Sequence, residues 1–332
     1  MTSPGARSPR RVILDTDTGI DDAVAVVLAV ADPRLDVVAV TTVFGNADVE
    51  HTTANTLTLL DRMDAREVPV ARGAAAGLVG TPTFAPMVHG ANGVGDVEFG
   101  APALRTVSDS AAELIVRTVR QDPGQITVVA LGPLTNLALA FAIDPGLPAL
   151  IDEVVWMGGA LDVTGNVTPV AEADALHDPE AADLVLAANC RMTVVGLDVT
   201  TRALLDVAGL ERMERAGAAG AEYLARILPY YFDFYERRLG VRECAMHSAL
   251  TVAIAADPSL VNAAVTAPAA IELSGERTRG MLVVDRRTDM RAPWTVGRRD
   301  TSVVLDADVS GFMAQMLDLV CGTGAGAATG PR

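Results

Sequence analysis

Four aspartates lie within eight residues near the start of the sequence, at Asp15, Asp17, Asp21 and Asp22. Carboxylates packed this closely repel one another and raise each other's pKa unless a positive charge lies among them. A helix N-terminus relieves only about 0.3–1 kcal/mol per favourable contact. Hard divalent cations such as Ca²⁺ and Mg²⁺, in contrast, require oxygen ligands of this kind. One aspartate would be enough for a helix N-cap, so the cluster favours a metal site.

The cluster lies between a predicted strand at Val12–Leu14 and a predicted buried helix at Ile20–Ala31. Further strands are predicted at Val37–Thr42, Glu67–Ala71, Ile126–Leu131, Val154–Met157, Met192–Leu197, Ala270–Leu273 and Met281–Val284, and further helices at Asp48–Arg62, Ala111–Arg120, Leu134–Ala142, Pro179–Ala188, Leu204–Leu239, His247–Ala256 and Ser310–Val320. Continuous Val and Ile runs are typical of strands that are covered on both faces. We therefore predict a doubly wound α/β fold with a mostly parallel open sheet, an added helical segment in the second half, and chemistry at the carboxyl ends of the strands.

Composition limits the partners that the protein can have. The chain has 332 residues, 42 of them acidic and 26 basic, and a formal net charge of −16. This excess of negative charge disfavours nucleic acid and anionic membrane surfaces, so neither is expected as a partner. None of the basic residues is a lysine. That excludes Schiff-base and pyridoxal-phosphate chemistry, and also the phosphate-binding loop that depends on a lysine.

The chain is predicted to form a single catalytic domain over 11–321. An N-terminal tail at 1–10 precedes it, and a flexible tail rich in Gly and Ala follows at 322–332. The three cysteines are too few and too scattered for a disulfide framework, which favours a reducing compartment. The N-terminal residues lack the apolar segment of a signal peptide, so a cytoplasmic protein is expected.

The aspartate cluster is the first of several motifs that occur in a recognisable order. Asp15–Ala23 resembles the pattern Asp-x-Asp-Pro-Gly-x-Asp-Asp-Ala, with Thr18 in place of the proline. The motifs that follow are Phe44–Asn46, His89–Gly93, Leu131–Asn136, Met157–Gly159, Gly165–Pro169 with Glu172, Asp178–Ala182 and Ala245–His247. By this set, which covers nearly the whole chain, the protein resembles the nucleoside hydrolases, the inosine-uridine preferring N-ribohydrolases.

The resemblance implies a metal-dependent enzyme that hydrolyses ribonucleosides to a free base and ribose. It implies that Asp17 and Asp22 ligate Ca²⁺ through their side chains and Leu131 through its carbonyl oxygen. Asp17 is then also the general base for the attacking water. A ribonucleoside is the expected small-molecule partner, and a homodimer or homotetramer is the expected assembly.

The same resemblance implies a set of ribose contacts. Asp21 would hold the 2′-hydroxyl, and Asn46 and the backbone near Met157 would line the ribose. Asn166 and Glu172 would bind the 5′-hydroxyl. Buried polar groups of this kind reject analogues that lack the matching hydroxyl, so strong ribose selectivity is expected.

His247 and His89 match the positions that approach the leaving base. Tyr231 and Tyr235, four residues apart on one helix face, are further candidates for contact with the base, because stacking contributes about 1–3 kcal/mol per base. The two tryptophans and the other two histidines receive structural interpretations. Trp156 and Trp294 are interpreted as core residues, and His51 and His177 as ordinary helix or loop residues.

The sequence departs from the family pattern at three positions. Ser248 stands where the family has an aspartate that ligates the metal and contacts the ribose, so a neutral hydroxyl takes that ligand position and Ca²⁺ affinity is expected to fall. Asp174 stands where an asparagine binds the 2′- and 3′-hydroxyls, and Asn92 replaces an aspartate in the His-Gly-x-Asp-Gly loop. These changes leave open a hydrolase with an altered ribosyl substrate, a weaker metal-dependent hydrolase, or a nucleoside-binding relative with weak or no turnover.

Phosphohydrolases of the haloacid-dehalogenase type also have an Asp-x-Asp motif after the first strand, and there the first aspartate is the nucleophile. Asp15 would take that role here. This alternative is weaker, because the chain lacks the lysine that those enzymes use and because Gly19 stands where Thr or Val is expected.

Overall fold

The computed structural model describes residues 8–322, so the predicted tails at 1–10 and 322–332 lie largely outside the described residues. The strands are β1 (Arg10–Thr16), β2 (Leu35–Thr42), β3 (Val70–Arg72), β4 (Ile126–Ala130), β5 (Glu153–Met157), β6 (Met192–Val195), β7 (Leu204–Asp206), β8 (Glu243–Ala245), β9 (Val261–Ile271), β10 (Leu282–Val284) and β11 (Asp300–Ala307). The helices are α1 (Ile20–Ala31), α2 (Val49–Arg62), α3 (Pro86–His89), α4 (Ala111–Gln121), α5 (Thr135–Ile143), α6 (Ala173–His177), α7 (Pro179–Ala187), α8 (Leu197–Thr200), α9 (Val207–Ala216), α10 (Ala219–Leu239), α11 (His247–Ala256) and α12 (Val309–Val320).

Nine of these strands form one sheet in the order β10-β9-β11-β6-β5-β4-β1-β2-β3. The pairs from β3 across to β11 are parallel, whereas β9 is antiparallel to both β11 and β10. This arrangement confirms the predicted doubly wound α/β fold with its mostly parallel sheet.

The strand order reverses beside β1, because β2 and β3 continue to one side of it and β4, β5 and β6 to the other. Loops that follow neighbouring strands at such a reversal separate and open a crevice at the carboxyl ends. The aspartate cluster follows β1, and Leu131 follows β4. The fold therefore brings both predicted metal-ligand segments to the crevice.

Helix α1 packs in the centre of the larger of the two cores. Its residues from Ile20 to Ala29 are all buried. It contacts α10, α11 and α12, so it is covered by helices of the second half of the chain. The second core lies on the other face of the sheet, where α4, α5 and α7 cover the strands. Trp156 is fully buried in this second core, as predicted.

The second half of the chain departs from the prediction in its strands. The segment 204–239 begins with the short strand β7, which pairs with β8, before α9 and α10 follow. The strand predicted at Ala270–Leu273 is only the end of β9, which begins at Val261, and β11 was not predicted at all. Both strands combine buried with exposed positions, so they lack the continuous apolar runs from which the other strands were predicted.

The interpretation of Trp294 as a core residue is wrong. It lies in a short 3₁₀ turn, Pro293–Thr295, and is 37% exposed. The Arg298 guanidinium lies 5.7 Å from the centre of its indole ring, a cation–π contact that suits a tryptophan at the surface. Among residues 8–322, the helices are too short or too polar to cross a membrane.

Candidate active site

Asn46 joins the two aspartates that the sequence analysis assigns to the metal. Its side-chain amide donates to Asp17 Oδ1 at 3.1 Å and to Asp22 Oδ2 at 2.7 Å, and its backbone N–H donates to Asp17 Oδ2 at 2.7 Å. The Gly19 backbone N–H donates to Asp22 Oδ2 at 2.9 Å. Asp17 and Asp22 are each only 1% exposed. The loops after β1 and β2 thus hold two buried carboxylates against one amide.

The electrostatics of this pair favour either protonation or a bound cation. Burial, followed by the negative charge of Asp22, raises the pKa of Asp17 well above its usual range. Burial and the nearby charge of Asp21 raise the pKa of Asp22 to about 8, and hydrogen bonds from Gly19 and Asn46 offset part of that rise. Among residues 8–322, Asp22 Oδ1 is buried without a hydrogen-bond partner.

The donor chemistry fits a hard cation, although the chain offers few anionic ligands. No group of three or more His, Cys, Asp or Glu side chains within residues 8–322 is arranged to hold a metal ion. The ligands that the sequence analysis assigns are two carboxylates, with the unpartnered Asp22 Oδ1, the Leu131 carbonyl and the Ser248 hydroxyl. All of them are oxygen donors, the type that Ca²⁺ and Mg²⁺ bind. An aspartate in place of Ser248 would bring the number of carboxylates to three.

Two glycines are required where the backbone passes closest to these side chains. A Cβ on Gly19 would lie 2.6 Å from Asn46 Nδ2 and 2.7 Å from His89 Nδ1. A Cβ on Gly45 would lie 2.0 Å from Asp17 Oδ2. Any side chain at either position would therefore displace a functional group.

Asp21 lies between the aspartate pair and the histidines. Its Oδ2 accepts the Ser248 backbone N–H at 3.2 Å, at the start of α11. Its negative charge acts to raise the pKa of both His89 and His247, but burial outweighs this effect and lowers both. Asp21 is 5% exposed, so it is buried like Asp17 and Asp22.

The proton position on His89 is set by the start of α1. The Ile20 backbone N–H donates to His89 Nδ1 at 3.1 Å, so the neutral ring carries its proton on Nε2. Burial lowers the pKa of His89 to about 4 and keeps the ring neutral at physiological pH. The imidazole stacks on the Tyr231 ring, with the ring centres 5.5 Å apart.

A second histidine ends a chain of hydroxyl groups. His247 Nε2 shares a hydrogen bond with the Tyr235 hydroxyl at 3.2 Å, and His247 Nδ1 shares one with the Thr200 hydroxyl at 2.8 Å. The Tyr231 hydroxyl lies 3.5 Å from that of Tyr235. The structure thus brings together the two histidines and two tyrosines that the sequence analysis selected.

The predicted ribose contacts occupy the loop after β5 and the start of α6. Glu172 caps α6: its carboxylate accepts the backbone N–H groups of Asp174 at 3.0 Å and Ala175 at 3.1 Å, and also that of Gly159 at 2.9 Å. Met157 is buried at the end of β5. Asn166 is exposed in the following loop, and its carbonyl accepts from Arg238 at 3.4 Å.

Asp174 is a buried carboxylate of the same site. Burial and the negative charges of Glu172, Asp17, Asp22 and Asp21 raise its pKa well above the usual range. The aspartate cluster and α6 are therefore close enough for their charges to interact.

Sequence reasoning missed His177. Its side chain is only 9% exposed, its Nδ1 lies 3.9 Å from Asp174 Oδ1, and its ring centre lies 6.2 Å from that of Phe44. His177 therefore lies beside two segments of the site, α6 with Asp174 and the loop that carries Phe44 and Asn46. The available signal was its position three residues after Asp174, on the same helix face. His51, in contrast, is exposed and pairs with Asp48.

Asp15 is not placed to act as a nucleophile. It is fully buried beneath the crevice, where its Oδ1 accepts the Thr41 hydroxyl at 2.6 Å and the Asn136 amide at 2.7 Å. Burial raises its pKa to about 6. These contacts give Asp15 the role of joining β1 to β2 and α5.

Comparison with known proteins connects this arrangement to one family. A profile described as "Inosine-uridine preferring nucleoside hydrolase" matches residues 12–314. The chain is 41% identical over 239 residues to a probable uridine nucleosidase 2 of Oryza sativa subsp. japonica, over 71% of each chain. It is 39% identical over 282 residues to the inosine-uridine preferring nucleoside hydrolase of Leishmania major, over 84% of this chain and 88% of the relative. The fold matches a plant nucleoside hydrolase, PpNRh1, with a TM-score of 0.90 and 31% identity, over 94% of this chain and 99% of that structure.

Proposed function

The chain belongs to the inosine-uridine preferring nucleoside hydrolase family and is an N-glycosyl hydrolase of ribonucleosides, and we propose that it uses a Ca²⁺ ion held at Asp17 and Asp22. The Leu131 carbonyl and the Ser248 hydroxyl complete the protein ligands. Ca²⁺ at this position would supply Lewis acidity, which lowers the pKa of a water molecule and orients ribose hydroxyls.

Asp17 acts as the general base in this proposal. Its carboxylate is held by the Asn46 backbone N–H and side-chain amide, so its orientation is fixed before substrate binds. In the reaction, the water oxygen forms a bond to C1′ of the ribose while the bond from C1′ to the base nitrogen breaks. One proton of the water passes to Asp17, and the base takes up a proton as it leaves.

The ribose would be held from two sides. Asp21 and Asn46 approach the 2′-hydroxyl side, Asp174 the 2′- and 3′-hydroxyls, and Asn166 with Glu172 the 5′-hydroxyl. The backbone at Met157 lies beneath the ring. Because Asp21 and Asp174 are buried, a substrate without the matching hydroxyl would leave a carboxylate unpaired, which supports strong selectivity for ribose.

The leaving base would meet His247, Tyr235, Tyr231 and His89. The hydrogen bond between Tyr235 and His247 supplies a path for a proton to the base. His89 donates from Nε2, because its Nδ1 accepts the backbone N–H that precedes α1. Tyr231 stacks on His89 and limits the space for the base.

The observation that carries the proposal is the pairing of two buried carboxylates on one amide, with Asp22 Oδ1 left unpartnered. Its test is the release of reducing sugar from uridine, inosine, cytidine, adenosine and guanosine, with added Ca²⁺ and with a chelator. We expect hydrolysis that the chelator abolishes and Ca²⁺ restores. Full activity in chelator would refute the role of the metal.

Ser248 supports a second candidate function, a nucleoside-binding protein with little turnover. Among the described residues, no third carboxylate joins Asp17 and Asp22 in a group arranged to hold a metal ion. In this case, calorimetry would detect nucleoside binding without ribose release. The substitution Ser248→Asp distinguishes the two by adding the missing anionic ligand. It should tighten Ca²⁺ binding about tenfold, since a charged ligand contributes about 1.4 kcal/mol or more. Unchanged Ca²⁺ affinity would contradict the ligand position of Ser248.

The family resemblance also supports a homodimer or homotetramer. Size-exclusion chromatography with light scattering would measure the assembly. A monomer at micromolar concentration would contradict it.

A further inference from the structure

His177 is a buried polar side chain that lacks a partner within residues 8–322. Its Nδ1 makes no hydrogen bond, although the side chain is only 9% exposed. Leaving a buried nitrogen without its hydrogen bond is unfavourable. Such a group in a native structure calls for an explanation, such as a functional role.

The nearest acceptor is the Asp174 carboxylate. Asp174 and His177 lie three residues apart on one face of α6, and the distance from Nδ1 to Oδ1 is 3.9 Å. This exceeds a hydrogen bond by about 1 Å, which a small rotation of either side chain removes. Within residues 8–322, no donor reaches the Asp174 carboxylate, so both groups of the pair are incompletely bonded.

The backbone that carries Asp174 is firmly held. Glu172 accepts the backbone N–H groups of Asp174 and Ala175, and it also bonds Gly159 after β5. The Phe44 ring lies beside His177, in the loop that continues to Asn46. Asp174 and His177 therefore lie on a helix whose start is fixed by backbone hydrogen bonds.

We propose that His177 is the positioning residue for Asp174: when a ribonucleoside is bound, its Nδ1–H donates to the Asp174 carboxylate and aims the other carboxylate oxygen at a ribose hydroxyl. This inference rests on the proposed function, in which Asp174 contacts the ribose. An ionised carboxylate only accepts hydrogen bonds, so the pair demands a hydroxyl donor from the sugar. The hydrogen bond from His177 also favours the ionised form of Asp174 among its acidic neighbours.

A double-mutant cycle tests the proposal with His177→Ala, Asp174→Ala and the double variant. Uridine and inosine, each with its 2′-deoxy counterpart, serve as substrates. His177→Ala should raise KM about tenfold for the ribonucleosides, lower kcat much less, and reduce the preference for ribose over deoxyribose. In the Asp174→Ala background the same substitution should change KM less than twofold, because alanine offers no oxygen to accept the His177 Nδ1–H.

Two further variants separate positioning from a structural role. His177→Asn places an amide where Nδ1 was and should restore KM to within about threefold of the wild-type value. His51→Ala removes an exposed histidine that also pairs with an aspartate three residues away, and should leave KM and kcat unchanged. Equal KM effects of His177→Ala in both backgrounds, or a loss that His177→Asn does not rescue, would overturn the proposal.

The experiment also separates this proposal from the proposed function. If the wild type binds uridine or inosine but releases no ribose, the hydrolytic function fails, and the same cycle is measured as calorimetric affinity with the same expected factors. If the wild type binds neither nucleoside, both proposals are refuted.

Discussion

Replacing Asp22 with asparagine should stabilise the metal-free protein while it abolishes hydrolysis. Asp22 is 1% exposed, and burial with the neighbouring charge of Asp21 raises its pKa from 3.8 to about 8. At pH 7 the folded protein must therefore hold a proton that the unfolded chain releases. The interval from the unfolded pKa of 3.8 to pH 7 is about three units, and each unit corresponds to 1.36 kcal/mol. Holding the proton therefore lowers the free energy of unfolding by at most about 4 kcal/mol. A neutral asparagine removes that cost.

The geometry of Asp22 makes the exchange possible without a clash. Its Oδ2 accepts from Gly19 and Asn46, and the Oδ1 of an asparagine can accept both bonds. The amide nitrogen would replace the unpartnered Oδ1, where no donor opposes it. Leaving this NH₂ group unpaired costs about 1–3 kcal/mol. We therefore expect a net gain of about 1–3 kcal/mol in the free energy of unfolding at pH 7 in chelator.

The dependence on pH follows from the same shift. A carboxyl group whose pKa is raised on folding contributes its full stability at low pH and loses it as pH rises to the folded value. Wild-type stability in chelator should therefore fall between about pH 4 and pH 8, and Ca²⁺ should restore it by binding only the folded state. Asp22→Asn should show a shallower decline and little response to Ca²⁺.

Denaturant unfolding between pH 5 and pH 8, with chelator and with Ca²⁺, measures these free energies. Asp198→Asn is the matched control, because both of its buried oxygens accept backbone N–H groups, from Leu161 at 2.9 Å and Asp162 at 2.7 Å. The NH₂ group of the new asparagine would face one of these backbone N–H groups, which is also a donor. The substitution should therefore lower the free energy of unfolding by about 1–3 kcal/mol whether or not Ca²⁺ is present. If Asp22→Asn destabilises the chelated protein as much as Asp198→Asn does, the reasoning is refuted.

Three more substitutions or measurements test the remaining parts of the site. Gly19→Ala should lower kcat/KM at least about 100-fold, because the added Cβ would displace both Asn46 and His89. Gly146→Ala is the control and should leave kcat and KM unchanged, because its Cβ would meet no atom closer than 3.4 Å. Tyr235→Phe should lower kcat about tenfold by removing the hydroxyl that bonds His247, and Tyr223→Phe, which removes a buried hydroxyl without a partner among residues 8–322, should not alter it. Burial lowers the pKa of His89 to about 4, so nitrogen chemical shifts should show a neutral Nε2–H tautomer from pH 5 to pH 8. Protonation of His89 near pH 6.5 in these spectra would contradict the assigned hydrogen bond. Because the unfolded histidine has the higher pKa, the stability that this group contributes is lost as the pH falls from about 6.5 to about 4.

The site residues that the sequence predicted well are those fixed by local structure. The aspartate cluster ends a strand and begins a helix, and strand ends in a parallel sheet meet at one edge, so the proximity of Asp17, Asp22 and Asn46 follows from the order of elements. The spacing of Tyr231 and Tyr235 likewise predicts their shared helix face, which the structure shows.

The residues that sequence reasoning missed depend on contacts between distant segments. His177 gains its significance from Phe44 and His89, which are more than 80 residues away in the chain. Strand β11 pairs with β9 across a connection of about 30 residues, and neither strand carries a continuous apolar run. Trp294 is apolar enough for a core, but an arginine covers its ring at the surface instead.

The enclosure of α1 has a consequence for how this enzyme can acquire new substrates. Its first residues carry site aspartates, while the rest of the helix lies inside the larger core, so most substitutions there alter folding and catalysis together. Directed evolution of base preference would meet fewer such conflicts in the surface cavity of about 420 Å³ that Met87, which is 75% exposed, lines with Tyr230 and Phe234. Tyr230 and Phe234 directly precede Tyr231 and Tyr235 in α10. Libraries that vary these cavity positions and leave α1 untouched should retain the largest share of folded, active clones.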